Sequence, residues 1–231
     1  MHHAILRQAT ATILGWPLAG HEQMAADAAG TVLIRAESGG ILGQATPEQR
    51  ERISSILTSM STFVQVMDYE DVVTLGHWRA GGQPHHFMRL PGRSASDSIR
   101  AAMEGLWQNV DEAVFQFRWE GHYAKEYLGK ALHALQDSFS PTHVKREKKE
   151  DGSWVIKDLF EYTAQEKKDH DKGDAQYAVA GEWQLSELGK ATVLASELLL
   201  SYFVQRVSGL GSQAAQTRQT LETAFLRDET S

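Results

Sequence analysis

The stretch "YAKEYLGKALHALQDSFSPTH", residues 123 to 143, decides the fold class. Tyr127, Leu128, Ala131, Leu132 and Leu135 recur at three-to-four spacing and make one apolar face of a helix. His133 and Asp137 stand one turn apart on a shared face. Pro141 ends the helix, and His143 follows in the next turn of chain. Buried among leucines, His133 needs a partner for each ring nitrogen, and an ionised Asp137 beside it still calls for a cation. Three potential metal ligands therefore leave one helix end.

Outward from this stretch the same periodicity persists, and no segment alternates over six or more residues. The chain is expected to be all-α, a single-domain multi-helix bundle over residues 1–231 with 1–15 as an N-terminal extension. Thr46-Pro47-Glu48-Gln49 is a capping box with proline at the first helical position, and Ser94-Ala95-Ser96-Asp97 opens another helix. Further helices are expected over 21–36, 159–178, 183–207 and, more weakly, 214–226. Glycine, proline or dense charge marks the loops "ESGGILGQATP", "HWRAGGQPHH" and "KREKKEDGSW", the last a solvated turn or small hairpin at Asp151-Gly152. The stripe Leu185, Leu188, Ala195, Leu199, Tyr202 and Phe203 reads as core.

The 231 residues contain no cysteine, which removes disulfides, thiolate zinc sites and a cysteine nucleophile. Any metal must be held by nitrogen and oxygen. A formal charge of -7 argues against broad wrapping of nucleic acid, so no stable nucleic-acid partner is expected. No run approaches the roughly 18 to 20 apolar residues of a membrane span, so no transmembrane anchor is expected. The N-terminal "MHHAILRQATATILGW" is a poor signal peptide.

A second pair at the same spacing, His170 and Asp174, lies in "HDKGD". Imidazole and carboxylate donors without sulfur suit zinc sites that keep positions open to water. The pattern H-x3-D-x3-P-x-H in "HALQDSFSPTH" resembles the signature of the zinc-dependent phospholipases C of the alpha-toxin type, which the fungal single-strand nucleases share. Reading upstream, Asp68 in "MDYED" and His86 in "HHFM" resemble ligands of that superfamily. "WPLAGH" spaces Trp16 and His21 like the nucleases' N-terminal tryptophan and first histidine.

That resemblance implies an all-helical fold of this type with two to three zinc ions. Asp68, His86, His133 and Asp137 would hold the first ion, and His143, His170 and Asp174 the second. His21 and the other oxygen of Asp137 would serve a third, completed in the family by an N-terminal tryptophan. Here Trp16 is internal. Either processing exposes it, or His2, His3 or water replaces it, or the third site is lost, and partial loss in the unprocessed chain is favoured. His86 is preferred to His85 because Phe87 follows it. His77 and His122 read as surface or capping groups, and Glu22, Asp71 and Asp171 as solvated or as partners orienting the ligands.

The implied activity is zinc-dependent phosphodiester hydrolysis, with Asp68 orienting or deprotonating the attacking water. Phospholipase C action on glycerophospholipids at a membrane surface, releasing diacylglycerol and a phosphorylated headgroup, is the first expectation. A single-strand nuclease or 3'-nucleotidase is the alternative, since Asp174 and "WPLAGH" lean that way. A third reading is a non-enzymatic effector in which zinc only organises the bundle. Trp78, Trp154 and Tyr162 could stack bases, or with Met88, Leu90, Lys145 and Arg146 rest at a lipid headgroup boundary. By family analogy a secreted or exported bacterial effector is expected, with a cytoplasmic location as the alternative.

Overall fold

The protein is described from a computed structural model that covers residues 20–38, 41–42, 45–74, 83–119, 121–161 and 185–230. Among these the chain is mainly helical, with a single two-stranded sheet. Seven α-helices follow in order: α1 (Gly20–Glu37), α2 (Pro47–Thr58), α3 (Met60–Thr74), α4 (Ala95–Gln116), α5 (Gly121–Asp137), α6 (Glu187–Val207) and α7 (Gly211–Phe225). A short 3-10 turn, Gln83–His86, precedes α4, and strands β1 (Val144–Lys148) and β2 (Trp154–Leu159) lie between α5 and α6.

The helix starts follow from side chains that satisfy otherwise orphaned amides. At α2 the Thr46 hydroxyl accepts from the Gln49 amide at 3.2 Å, and the Gln49 side chain accepts from the Thr46 amide at 2.8 Å. Ser94 caps α4 by accepting from Asp97 N–H at 3.0 Å. Ser186 caps α6 through Gly189 N–H at 2.9 Å, so this helix begins four residues later than the expected 183.

Helix α1 packs on α3 and α6, α5 on α3 and α4, and α7 closes over α6. Their buried side chains form one continuous cluster that includes Met24, Ile56, Leu106, Leu128, Leu132, Leu199 and Phe203. At Gly129 the α3–α5 approach leaves no room for a side chain, since an added Cβ would lie 3.0 Å from Phe63 Cβ. The stripe on α6 is core as expected: Ala195, Leu199, Tyr202 and Phe203 are buried, and Leu185 and Leu188 pack against them. No helix among the described residues is long and apolar enough to cross a membrane.

The charged turn at Asp151-Gly152 is a hairpin, with Gly152 at φ 84° where a side chain would be strained. The strands were not legible as strands. Their register shifts at Lys145/Arg146, where Lys157 is the extra residue on β2, and Ile156 also bridges Asp228 on the other edge. Val155 and Ile156 are both buried, and the bulge brings Ile156 and Leu159 to the same face, which breaks the alternation a strand normally displays. The helix expected from residue 159 is corrected at its start, because Leu159 ends β2. Residues 162–178 of that expectation lie outside the described residues.

Candidate metal centre

Asp137 is the last residue of α5, a position where the helix dipole disfavours a carboxylate. Four imidazoles offset that cost. His21 comes from the first turn of α1, His86 from the end of the 3-10 turn, His133 from one turn earlier on α5, and His143 from the residue before β1. All five side chains are buried. His21 stands at the positive end of its own helix dipole.

The carboxylate is shared around its two oxygens. Oδ2 lies 2.8 Å from His86 Nδ1, 3.2 Å from His133 Nε2 and 3.9 Å from His143 Nδ1. Oδ1 lies 3.6 Å from His21 Nε2. Burial by itself would raise the Asp137 pKa, but attraction to His133 and His143, the His86 hydrogen bond and attraction to His21 together hold it well below the usual carboxylate range. Asp137 is therefore an anion at neutral pH. Donor atoms of His21, His133 and Asp137 all fall within 4.8 Å of one another, and this buried group could hold a metal ion. Two imidazole nitrogens and a carboxylate oxygen are a chemically apt donor set for a divalent transition metal.

Backbone contacts lock the remaining histidines. His143 Nδ1 lies 2.8 Å from the His86 carbonyl oxygen. A carbonyl only accepts, so Nδ1 carries the proton and the ring's lone pair is on Nε2. Phe160 N–H donates to the His143 carbonyl at 2.8 Å, and its own carbonyl accepts from Arg89 N–H at 3.0 Å. The end of β2 thus clamps the His86 segment to the His143 turn. Phe87, fully buried, takes a left-handed φ of 51°, a strained backbone that turns the chain immediately after His86.

Arg146 braces the turn between Asp137 and His143. Its guanidinium donates to Ser138 O, to Ser138 Oγ at 2.9 Å, to Trp154 O at 3.2 Å and to Phe225 O, and it lies 4.1 Å above the Phe139 ring centroid. The cation also neutralises the negative end of α5. Gln136, fully buried, reaches the first turn of α1 when its amide is oriented to donate to His21 O at 3.2 Å and accept from Ala25 N–H at 3.3 Å.

Of the eight ligands expected from sequence, His21, His86, His133, Asp137 and His143 come together in this way. Asp68 lies on α3, its side chain outside those described, and His170 and Asp174 lie outside the described residues, as do Trp16, His77, Trp78 and Tyr162. His85 is exposed, so the preference for His86 holds as regards contact with Asp137. His122 is exposed on the first turn of α5, as expected. Glu22 is buried, which excludes the solvated alternative of its reading and leaves the ligand-orienting one. The lipid-boundary group is corrected as well, because Met88 is fully buried and Arg146 turns inward. Arg146 gave no sequence signal, being one cation in a run that reads as solvated. Gln136 offered one: a polar residue adjoining Asp137 in an apolar helix.

A mainly helical chain with a buried imidazole–carboxylate group able to hold a metal is the class that fold and site define. Comparison with family models, curated proteins and solved structures finds no match in any of the three.

Proposed function

We propose that the protein is a zinc-dependent phosphodiester hydrolase, acting as a phospholipase C on glycerophospholipids. The observation that carries this reading is the convergence on one carboxylate of His21, His86, His133, Asp137 and His143, drawn from four separate parts of the chain. The "HALQDSFSPTH" motif carries His133, Asp137 and His143, and the likeness of "HHFM" and "WPLAGH" to the same superfamily adds His86 and His21. Nitrogen and oxygen donors without sulfur suit zinc, and His170, Asp174 and Asp68 would complete the set for two to three ions.

When bound, zinc would lower the pKa of a coordinated water to about 7 and neutralise phosphate charge. The chain's own part is to hold neutral imidazoles around the ionised Asp137, and Asp68 would orient or deprotonate the attacking water. The His86 carbonyl fixes the His143 tautomer, which a metal-binding ring needs.

The single-strand nuclease is the second reading, favoured by Asp174 and by the Trp16 to His21 spacing. One preparation tests both. Zinc stoichiometry is measured on the purified full chain, and the same sample is offered phosphatidylcholine and single-stranded DNA. Two or three zinc ions with diacylglycerol release support the phospholipase reading, and nucleotide release instead supports the nuclease. Bound zinc with turnover of neither would reduce the centre to a structural role.

A further inference from the structure

The end of the bundle away from the metal centre contains a cavity of about 680 Å³, lined by Arg52, Arg118 and Arg206 beside Val114, Phe117 and Val207. It lies where α2 begins and where α4 and α6 end. From this corner α5 runs 17 residues to Asp137, about 25 Å along its axis, so the cavity has no part in the metal site.

Three guanidinium groups face one carboxylate, Glu48, in the lining of this cavity, although the whole chain carries a formal charge of -7. Two are fixed in place. Arg52 donates to Phe117 O at 2.6 Å and to Glu48 Oε1 at 3.1 Å. Arg206 donates to Asp111 Oδ1 at 3.3 Å, an exposed carboxylate outside the lining, and to the Tyr202 hydroxyl. A guanidinium has five N–H donors, so both retain some for a ligand. Arginines near helix C-termini also serve to neutralise terminal carbonyls, and this accounts for Arg52. Arg118, just beyond the end of α4, is exposed and makes no ion pair among the described residues.

We propose that this cavity binds a small molecule ending in a phosphomonoester and carrying an apolar body. The excess of positive charge in the lining, reduced but not cancelled by Asp111 on Arg206, suits the negative charge of about -1.5 to -2 on such a group at neutral pH. Planar guanidinium forks suit its oxygens. Val114, Phe117 and Val207 offer an apolar wall, and the volume is that of a small-molecule pocket.

Phenyl phosphate and inorganic phosphate, titrated into the full metal-loaded chain, test this, with calorimetry and the arginine Nε–Hε NMR signals as readouts. Phenyl phosphate is expected to bind more tightly and to shift the Arg118 and Arg206 signals. Arg118→Gln should weaken it about tenfold and R118Q/R206Q should abolish it, with zinc content unchanged. Because Arg118 is exposed and unpaired, its single replacement keeps the fold. Affinity indifferent to both variants but lost in Asp137→Asn would place the phosphate at the metal centre and overturn the proposal. So would the absence of saturable binding below about 10 mM.

Discussion

Replacing Arg146 with methionine keeps an apolar stem over Phe139 and removes every donor from the brace behind the metal centre. Four acceptors lose their partner: Ser138 O, Ser138 Oγ, Trp154 O and Phe225 O. Hydrogen bonds to a charged group contribute about 1.5 to 3 kcal/mol each, but the site is only half-buried and water recovers part of that. A net cost of about 3 kcal/mol is expected, which for a chain of this size is roughly 6 to 12 °C in Tm. The second consequence is at the metal. Ser138 and Phe139 lead from Asp137 toward His143, so a loosened turn should lower zinc affinity by roughly 10- to 100-fold, as loss of an outer partner typically does. Arg146→Lys, keeping charge without the fork, should fall between. Melting of the metal-free variant and chelator competition for zinc separate the two effects. A lowered Tm with undiminished zinc affinity would refute the link from brace to centre.

Asp137→Asn should strip more zinc than any single histidine variant, because one carboxylate faces four imidazoles, and metal analysis of dialysed protein checks it. His86→Ala should lower zinc content whereas His85→Ala, at an exposed position, should leave it unchanged. The Asp137 pKa is depressed on folding, so its contribution to stability is complete above the unfolded value near about 4 and is lost only as pH falls through the lower folded value. Zinc requires neutral imidazoles and should leave earlier, as pH drops below about 6.5. Zinc content and circular dichroism followed from pH 7 to 3 should therefore change in that order, and simultaneous loss would contradict it. Gly129→Val should cost about 2 kcal/mol in chemical denaturation by forcing α5 off Phe63.

The helices were legible where sequence carries local instructions: a capping box at Thr46–Gln49, Ser94 before α4, and the apolar face of α5. The hairpin turn was legible at Asp151-Gly152, but its bulge at Lys157 and the Ile156–Asp228 bridge were not, because they are set by partners distant in sequence. The same division runs through the metal centre. His133 and Asp137 declare themselves at helical spacing, and the motif supplies His143. His21 and His86 were reached only through the resemblance, since nothing local in "AGHEQ" or "PHHFM" marks a ligand. The roles of Arg146 and of the Phe160 clamp depend on where β2 ends. No periodicity could have reported them.

The scattered origin of the five side chains also bears on how the protein would acquire a metal. His86 and Asp137 are 51 residues apart, and His86 and His143 are 57 apart. Closing such loops costs entropy that no single donor pair repays, so the unfolded chain offers little beyond the local pairs His133–Asp137 and His170–Asp174. Ligand capture would then follow collapse of the helices instead of nucleating it. Once seated, the ion adds stability in proportion to the logarithm of its concentration over its Kd. Scarcity of the metal during synthesis would then slow loading more than it slows collapse of the helices.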